Sequence, residues 1–197
     1  MTKHVVMGGV LGGLTMFVWL FLAHEVLGLG EMGVKEIPNE ASVLGAMQAA
    51  IHERGLYIFP GFGLGARTTA AQRNEAMAAY MKKYELVAHG VLVYNPPSGP
   101  FNFPMLLARE GALNLLEGLL AAWLLSCAVV GRGYWARAGF VAVIGIVAAI
   151  STNLEYWNWY EFPSAYIAGY FITQVVGYLL VGLVAASFVR GYPTQKG

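Results

Sequence analysis

Four long apolar stretches constrain the fold of this 197-residue chain more than any other feature of its sequence. They run from Val5 to Leu27, from Met105 to Val130, from Ala138 to Tyr156, and from Ser164 to Val189. A helix needs roughly 20 apolar residues to cross the hydrocarbon core of a bilayer, and each stretch has about that length. Hydrophobic residues make up 57% of the chain, which is more than an ordinary soluble domain carries. The sequence therefore predicts an all-α integral membrane protein, built as a bundle of four transmembrane helices.

The same stretches predict the domain organisation. Residues 1–27 form the first transmembrane helix, and 105–197 hold the other three helices with short loops and a tail. These two parts together make one domain. The first stretch is too long for the apolar region of a signal peptide, so we expect it to be retained. Residues 28–104 are too many for a plain loop, and they predict a small folded α/β insertion.

Charged residues are sorted between the two ends of the predicted bundle. The basic residues at one end are Lys3, Arg132, Arg137, Arg190 and Lys196. All 11 acidic residues are glutamates, and none lies in these basic segments. Because short loops rich in lysine and arginine stay on the cytoplasmic side, both chain ends are predicted to be cytoplasmic and residues 28–104 periplasmic. This arrangement fits a protein of the bacterial inner membrane.

The insertion carries patterns of two helices and two strands. Asn39 is suited to cap a helix that begins at Glu40, continues to Arg54 and ends at Gly55. A second helix is predicted over Thr69–Tyr84. The runs GLYIFPG and HGVLVYNPPSGP are rich in β-branched and aromatic residues and are bounded by glycine and proline, so each predicts a short strand. The two strands can pair.

An aromatic segment connects the third and fourth predicted helices. The sequence NLEYWNWYEFP places Trp157, Trp159 and Tyr160 at the end opposite to the basic residues. Tryptophan and tyrosine are enriched where a protein crosses the boundary between hydrocarbon and water. We therefore predict that these residues form an interfacial belt.

The second predicted helix carries a polar face. Glu110, Asn114 and Glu117 recur at helical spacing, and Glu117 falls near the middle of the span. A carboxyl group at that depth costs several kcal/mol unless it is paired or hydrated, roughly as for other intramembrane charges. One interpretation is structural, with Glu117 hydrogen-bonded to Gln174 on the fourth helix. The alternative is a proton relay or a site for a polar ligand formed by the same four residues.

A metal site is a further hypothesis for the end opposite to the basic residues. His24 and Glu25 lie at the end of the first helix, and Glu155 follows the third, so a histidine and carboxylates come to a similar depth. No spaced histidine motif accompanies them. The sequence identifies no particular cofactor.

Small residues at four-residue spacing predict close helix packing. Gly8 and Gly12 lie on the first predicted helix, and Gly169 and Gly177 lie on the fourth. Glycine lets two helix backbones approach and pack by van der Waals contact. Packing within the chain is favoured over packing against another subunit.

Three classes of function stay open, and the sequence favours the first. It contains no nucleophile in a catalytic context, which indicates a non-catalytic accessory or scaffolding subunit of a larger membrane complex, for example a respiratory or photosynthetic one. The second class is a small membrane enzyme or redox protein that binds a metal, quinone or lipid near Glu117 and His24. The third is an oligomeric transporter or ligand sensor. The expected partners are membrane lipids and other membrane subunits, and nothing indicates nucleic acid.

Overall fold

A computed structural model describes residues 2–65, 68–128 and 132–190 of the chain. Its elements, in chain order, are α1 (Lys3–Phe21), α2 (Glu40–Ala50), β1 (Gly55–Phe59), α3 (Ala70–Leu86), β2 (Gly90–Tyr94), α4 (Phe103–Ala128), α5 (Tyr134–Ala149), α6 (Glu155–Tyr160) and α7 (Ser164–Phe188). They divide into two compact units. The helical unit comprises the described parts of residues 1–34 and 101–197, and the insertion unit comprises those of residues 35–100.

The helical unit contains four helices that are long and apolar enough to cross a membrane. Two of these spans include a π-helical turn near one end. α1 continues through Leu22–Val26, and α5 continues through Ile150–Leu154 into α6, so the spans are Lys3–Val26 and Tyr134–Tyr160. The other two are α4 and α7. Four predicted helices are thereby confirmed, although Val130, at the predicted end of the second, lies outside the described residues.

The four long helices pack mainly as two pairs. α1 packs closely against α4, α5 packs closely against α7, and extensive contacts between α1 and α7 join the pairs. The short connection GRGYWAR between the second and third predicted helices predicts that these helices are antiparallel neighbours, but α4 and α5 make few contacts with each other. That prediction was wrong because α1 takes the place beside α4. Leu125, Val141 and Val181 are the largest fully buried apolar side chains of this unit.

Glycines explain why α1 comes so close to its neighbours. Gly9 and Gly13 of α1 meet Gly118 of α4 backbone to backbone, and a Cβ atom at any of the three would overlap the opposite helix. Gly8 and Gly12, on the adjacent face of α1, lie against Phe188 and Val181 of α7. The predicted small-residue stripe of α1 therefore packs inside the chain.

The basic residues gather at one end of the helical unit. The Arg137 guanidinium donates hydrogen bonds to the carbonyl oxygens of Arg132, at 2.6 Å, and Ala186, at 3.0 Å. It thus ties the start of α5 to the end of α7. Because the start of α1 packs on this same part of α7, Lys3 and Arg190 lie at this end too. Lys196 lies outside the described residues.

At the opposite end, residues that follow α1 fold back onto α7. Gly28 adopts a left-handed conformation and ends the π-helical turn, and a short 3₁₀ turn over Leu29–Glu31 follows. Gly169 packs against the backbone of Leu29 and the side chain of Met32. Residues 28–34, which the sequence assigned to the insertion, therefore group with the helical unit.

The aromatic connection between the third and fourth spans is mostly helical rather than a loop. α6 covers six of the eleven residues of the segment that carries the tryptophans, and the first two, Asn153 and Leu154, belong to the preceding π-helical turn. The turn spans residues 161–163, where Glu161 is left-handed and Pro163 precedes the first residue of α7. The sequence predicted that the third span ends at Tyr156, whereas the π-helical turn continues the span as helix to Tyr160.

The insertion unit contains two helices and one small sheet. α2 begins at Glu40 as predicted but ends at Ala50, because Ile51 is extended and Gly55 already belongs to β1. The predicted end at Gly55 was therefore wrong. Asn39 precedes the helix in a left-handed conformation and makes no side-chain capping hydrogen bond, so the predicted cap is also absent.

The other predicted elements of the insertion unit are present. Thr69 caps α3, since its hydroxyl accepts from the Gln72 backbone at 3.3 Å and the Gln72 side chain accepts from the Thr69 backbone at 3.0 Å. β1 and β2 pair antiparallel, from Gly55 opposite Tyr94 to Phe59 opposite Gly90. The predicted strand pairing is confirmed.

Candidate functional site

One face of α4 carries the polar residues that the sequence singled out. The Asn114 amide donates a hydrogen bond to a Glu110 carboxylate oxygen at 3.1 Å. Asn114 is only 2% exposed, and its backbone lies against Gly13 of α1. Glu117 is half-buried near the middle of the helix, close enough to Glu110 for the two carboxyl groups to interact. The polar face of α4 is thus directed into the helical unit.

Gln174 does not pair with Glu117. Its Oε1 atom accepts from Asn153 at 3.0 Å and from the Thr152 hydroxyl at 3.3 Å, and no hydrogen bond joins it to Glu117 among the described residues. Asn153 and Thr152 lie in the π-helical turn after α5, where the wider helical turn changes which side chains face α7. The structure therefore replaces the expected Glu117–Gln174 pair with a link between the third and fourth spans.

Gln174 belongs to a polar stripe along α7 that sequence reasoning missed. The stripe consists of Tyr166, Tyr170, Gln174 and Tyr178, which recur every four residues and share one face of the helix. All four side chains are half-buried. Tyrosine counts as apolar in a composition argument, so the three hydroxyl groups went unnoticed. The four-residue spacing was the signal that could have found them.

Tyr178 lies where α4, α5 and α7 meet. Its side chain packs directly on Gly145 of α5, where a Cβ atom would have no room. Its phenol also lies near enough to Glu117 of α4 for an electrostatic interaction. The Tyr178 side chain therefore lies beside the seam between α4 and α5, which make few contacts with each other.

His24 is held beside Tyr170 of this stripe by the first π-helical turn. Its Nδ1 atom lies 2.9 Å from the Leu20 carbonyl oxygen, and because a carbonyl oxygen can only accept, Nδ1 is the donor of this hydrogen bond. Its ring meets Tyr170 edge to face, with centroids 5.8 Å apart. Gly30 lies directly against the ring on another side. His24 is therefore fixed against α7 rather than directed toward the glutamates.

The metal hypothesis gains no support from the geometry. Within the described parts of the chain, no group of three or more histidine, cysteine, aspartate or glutamate side chains could hold a metal ion. Glu25 and Glu155 are exposed, whereas His24 is half-buried. The structure does not bring these three residues together as a ligand set.

The aromatic residues of the predicted belt lie on α6. Trp157, Trp159 and Tyr160 are all exposed, and the Trp157 indole donates to the Ser164 hydroxyl at 3.2 Å. Neighbouring rings connect this region to the stripe of α7. Successive centroids from Tyr156 through Phe162 and Tyr166 to Tyr170 are separated by 5.3, 5.5 and 4.5 Å.

The remaining glycines predicted to mediate packing lie on the other face of α7. Gly177 lies against the Met16 side chain and the Trp19 ring of α1. The Trp19 indole donates to the Thr173 carbonyl oxygen at 2.7 Å. Gly169 and Gly177 thus form the face of α7 that packs against α1 and the turn after it. The polar stripe lies on a different face of α7.

The insertion unit exposes an apolar sheet face. The register places Leu56 opposite Val93 and Ile58 opposite Val91, so these four side chains share one side of the sheet. Leu56 is 60% exposed, Ile58 54% and Val93 70%. The other side is better covered, since Tyr94 is only 8% exposed. We call Leu56, Ile58, Val91 and Val93 the open sheet face.

Comparisons with protein-family models, with curated proteins and with solved structures found no match to this chain.

Proposed function

We propose that this chain is an integral protein of the bacterial inner membrane and serves as a non-catalytic accessory or scaffolding subunit of a larger membrane complex. In this proposal both chain ends are cytoplasmic and the insertion unit is periplasmic. The open sheet face is the surface through which the subunit docks. The partner is another membrane subunit that presents an apolar surface on the periplasmic side.

The distribution of charge supports the membrane orientation. Lys3, Arg137 and Arg190 gather at one end of the helical unit, while Glu31 and Glu155 lie toward the other. Lysine and arginine near the ends of short loops favour the cytoplasmic side. The exposed rings of α6 suit the opposite interface, where aromatic side chains can contact both hydrocarbon and water.

The open sheet face is the observation that carries the docking role. Three of its aliphatic side chains are each more than half exposed on a sheet of only two strands. Such a sheet is marginally stable in water, and it gains stability when an apolar face is covered. Contiguous exposed apolar surface commonly marks a site of protein interaction.

Co-purification from the native membrane tests this proposal. The chain would be tagged at its C-terminus, extracted in digitonin and analysed for subunits present in stoichiometric amounts. The double variant Leu56→Ser/Val93→Ser removes two apolar side chains from the open sheet face. Leu86→Ser is the matched control, because Leu86 is 73% exposed but lies on α3, outside the sheet.

We expect a defined partner with the native chain and with Leu86→Ser, and its loss from the sheet variant. Circular dichroism of each purified variant would show whether the fold is retained. Recovery of the native chain as a lone monomer under these mild conditions would contradict the proposal. So would a partner that the sheet variant binds equally well.

A further inference from the structure

We propose that Gln174, Tyr178 and Glu117 form a binding site for the carbonyl-bearing headgroup of an apolar-tailed molecule that enters from the bilayer between α4 and α5. This inference rests on the proposed membrane location, but it requires no protein partner. Quinones and glycerolipids both offer carbonyl oxygens of this kind. The two sources can be distinguished by experiment.

Gln174 presents hydrogen-bond donors that the protein does not use. Its Oε1 atom is occupied by Asn153 and Thr152, and this fixes which end of the amide faces the third span. The Nε2 group carries two N–H donors, and within the described residues it makes no hydrogen bond. An amide oriented in this way can donate to a ligand without breaking an internal contact.

Tyr178 adds a second donor one turn away. Residues four apart on a helix have Cβ atoms about 5–6 Å apart, which a single headgroup can bridge. The Tyr178 hydroxyl has no hydrogen-bond partner in the described part of the chain, whereas the comparable Tyr134 hydroxyl donates to the Leu183 carbonyl at 2.9 Å. The indole of Trp19 is likewise satisfied by Thr173. These two donors therefore have partners within the chain, whereas the Tyr178 hydroxyl has none among the described residues.

The seam between α4 and α5 gives a ligand access to these donors. α4 and α5 make few contacts with each other, although each of them packs against α7, and Tyr178 of α7 lies directly against Gly145 of α5. Glu117 adds a carboxyl group from the α4 side, and this group can accept a hydrogen bond, or donate one when protonated. Gly145 provides the space on the α5 side that the Tyr178 ring fills.

Depth and donor chemistry together define the ligand. Gln174 is the eleventh residue of α7, so it lies about 15 Å along the helix from its start. Unsatisfied polar groups are costly in hydrocarbon, so donors at this depth favour a ligand that supplies acceptors. Two neutral donors match carbonyl oxygens. An apolar tail would remain in the lipid outside the seam.

A quinone titration in nanodiscs tests whether the ligand is a quinone. The full chain would be reconstituted in saturated phosphatidylcholine, and the probe would be ubiquinone bearing one isoprene unit. Trp19 contacts the far side of α7 at Gly177, about one helix diameter, or roughly 10 Å, from the site. Quinone bound at the site should therefore quench the tryptophan fluorescence of the protein, to which Trp19 contributes as one of five tryptophans. The variants are Tyr178→Phe and Gln174→Leu, and Tyr170→Phe is a control that removes a hydroxyl from the same stripe outside the site.

We expect saturable quenching with the native chain, with binding about three- to tenfold weaker in Tyr178→Phe and in Gln174→Leu, as the loss of a neutral hydrogen bond predicts. Tyr170→Phe should bind like the native chain. Native mass spectrometry of the protein purified from its membrane tests the second source. If quinone does not bind saturably, a single glycerolipid retained by the native chain and lost from Tyr178→Phe assigns the site to lipid.

The proposal is overturned if neither ligand binds, or if all variants bind equally. Thermal unfolding of each variant would show whether its fold is intact. If Tyr178→Phe does not fold, Gln174→Leu still tests whether the unused donors of α7 bind the ligand. Because the site lies in the helical unit, the Leu56→Ser/Val93→Ser variant should keep full ligand binding even if it loses its protein partner. Failure of one proposal is therefore distinguishable from failure of the other.

Discussion

The Gln174 side-chain oxygen accepts a hydrogen bond from the Asn153 amide at 3.0 Å, which joins the fourth long span to the π-helical turn of the third. The two residues are 21 positions apart in the sequence, so this hydrogen bond links two separate spans. It fixes the direction of the Gln174 amide. The unused N–H groups of that amide then face away from the third span, and the proposed headgroup site depends on this arrangement.

Asn153 and Gln174 should therefore be energetically coupled. A double-mutant cycle with Asn153→Ala and Gln174→Ala should give a coupling of about 0.5–1.5 kcal/mol, the range found for hydrogen bonds between membrane helices. The measurement is the free energy of unfolding in mixed micelles. Asn158→Ala on α6 is a control, because Asn158 is exposed and should not couple to Gln174. Additive effects of Asn153→Ala and Gln174→Ala would show that the bond does not hold the spans together.

Gly118 should tolerate no side chain, because its α-carbon faces the backbone of Gly9 and Gly13. Gly118→Ala should force α1 and α4 apart and lower the free energy of unfolding by about 1–3 kcal/mol, as overpacking does. The matched control is Gly139→Ala on α5, where nothing lies within 4 Å of the new Cβ atom. That variant should be neutral or more stable by about 0.4–1 kcal/mol, since alanine restricts the unfolded chain. Equal effects of the two substitutions would contradict the close α1–α4 contact.

Gly118 and Gly139 are both glycines of long helices, but only Gly118 lies against another helix backbone. This difference shows how far the sequence predicts the structure. Apolar length identified all four long helices, and glycine spacing indicated that α1 would pack closely. Neither pattern encodes which helices become neighbours, so the few contacts between α4 and α5 were not foreseen. The short loop between α4 and α5 limits the distance between these helices only at the end where it joins them.

The candidate site was predicted only in part. Glu110, Asn114 and Glu117 stand out because polar residues are rare in apolar helices, and their helical spacing indicated a common face. The partner of Gln174 could not be predicted, because a π-helical turn shifts the facing residues by an amount that hydropathy does not register. Tyr178 was overlooked because its ring is apolar and only its hydroxyl matters at the seam.

In the insertion unit, Thr69 should control the start of α3. Thr69→Ala removes the hydroxyl that accepts from the Gln72 backbone and should cost about 1 kcal/mol locally. Hydrogen exchange of the amides in the first turn of α3 should then become about fivefold faster, because that free energy corresponds to such a factor. Thr69→Ser keeps the hydroxyl and should exchange at the native rate. Unchanged exchange in Thr69→Ala would mean that the capping box does not stabilise this helix.

The proposed orientation predicts which residues can be labelled from outside the cell. Cys127 is the single cysteine, so a Cys127→Ser background leaves no native thiol. Glu85→Cys places a thiol on an exposed position of α3, and Arg132→Cys places one at the basic end of the helical unit. Because positively charged loops are retained in the cytoplasm, a membrane-impermeant maleimide should label Glu85→Cys in spheroplasts. It should label Arg132→Cys only in inverted vesicles. The reverse pattern would place the insertion unit in the cytoplasm, and periplasmic docking through the open sheet face would then be impossible.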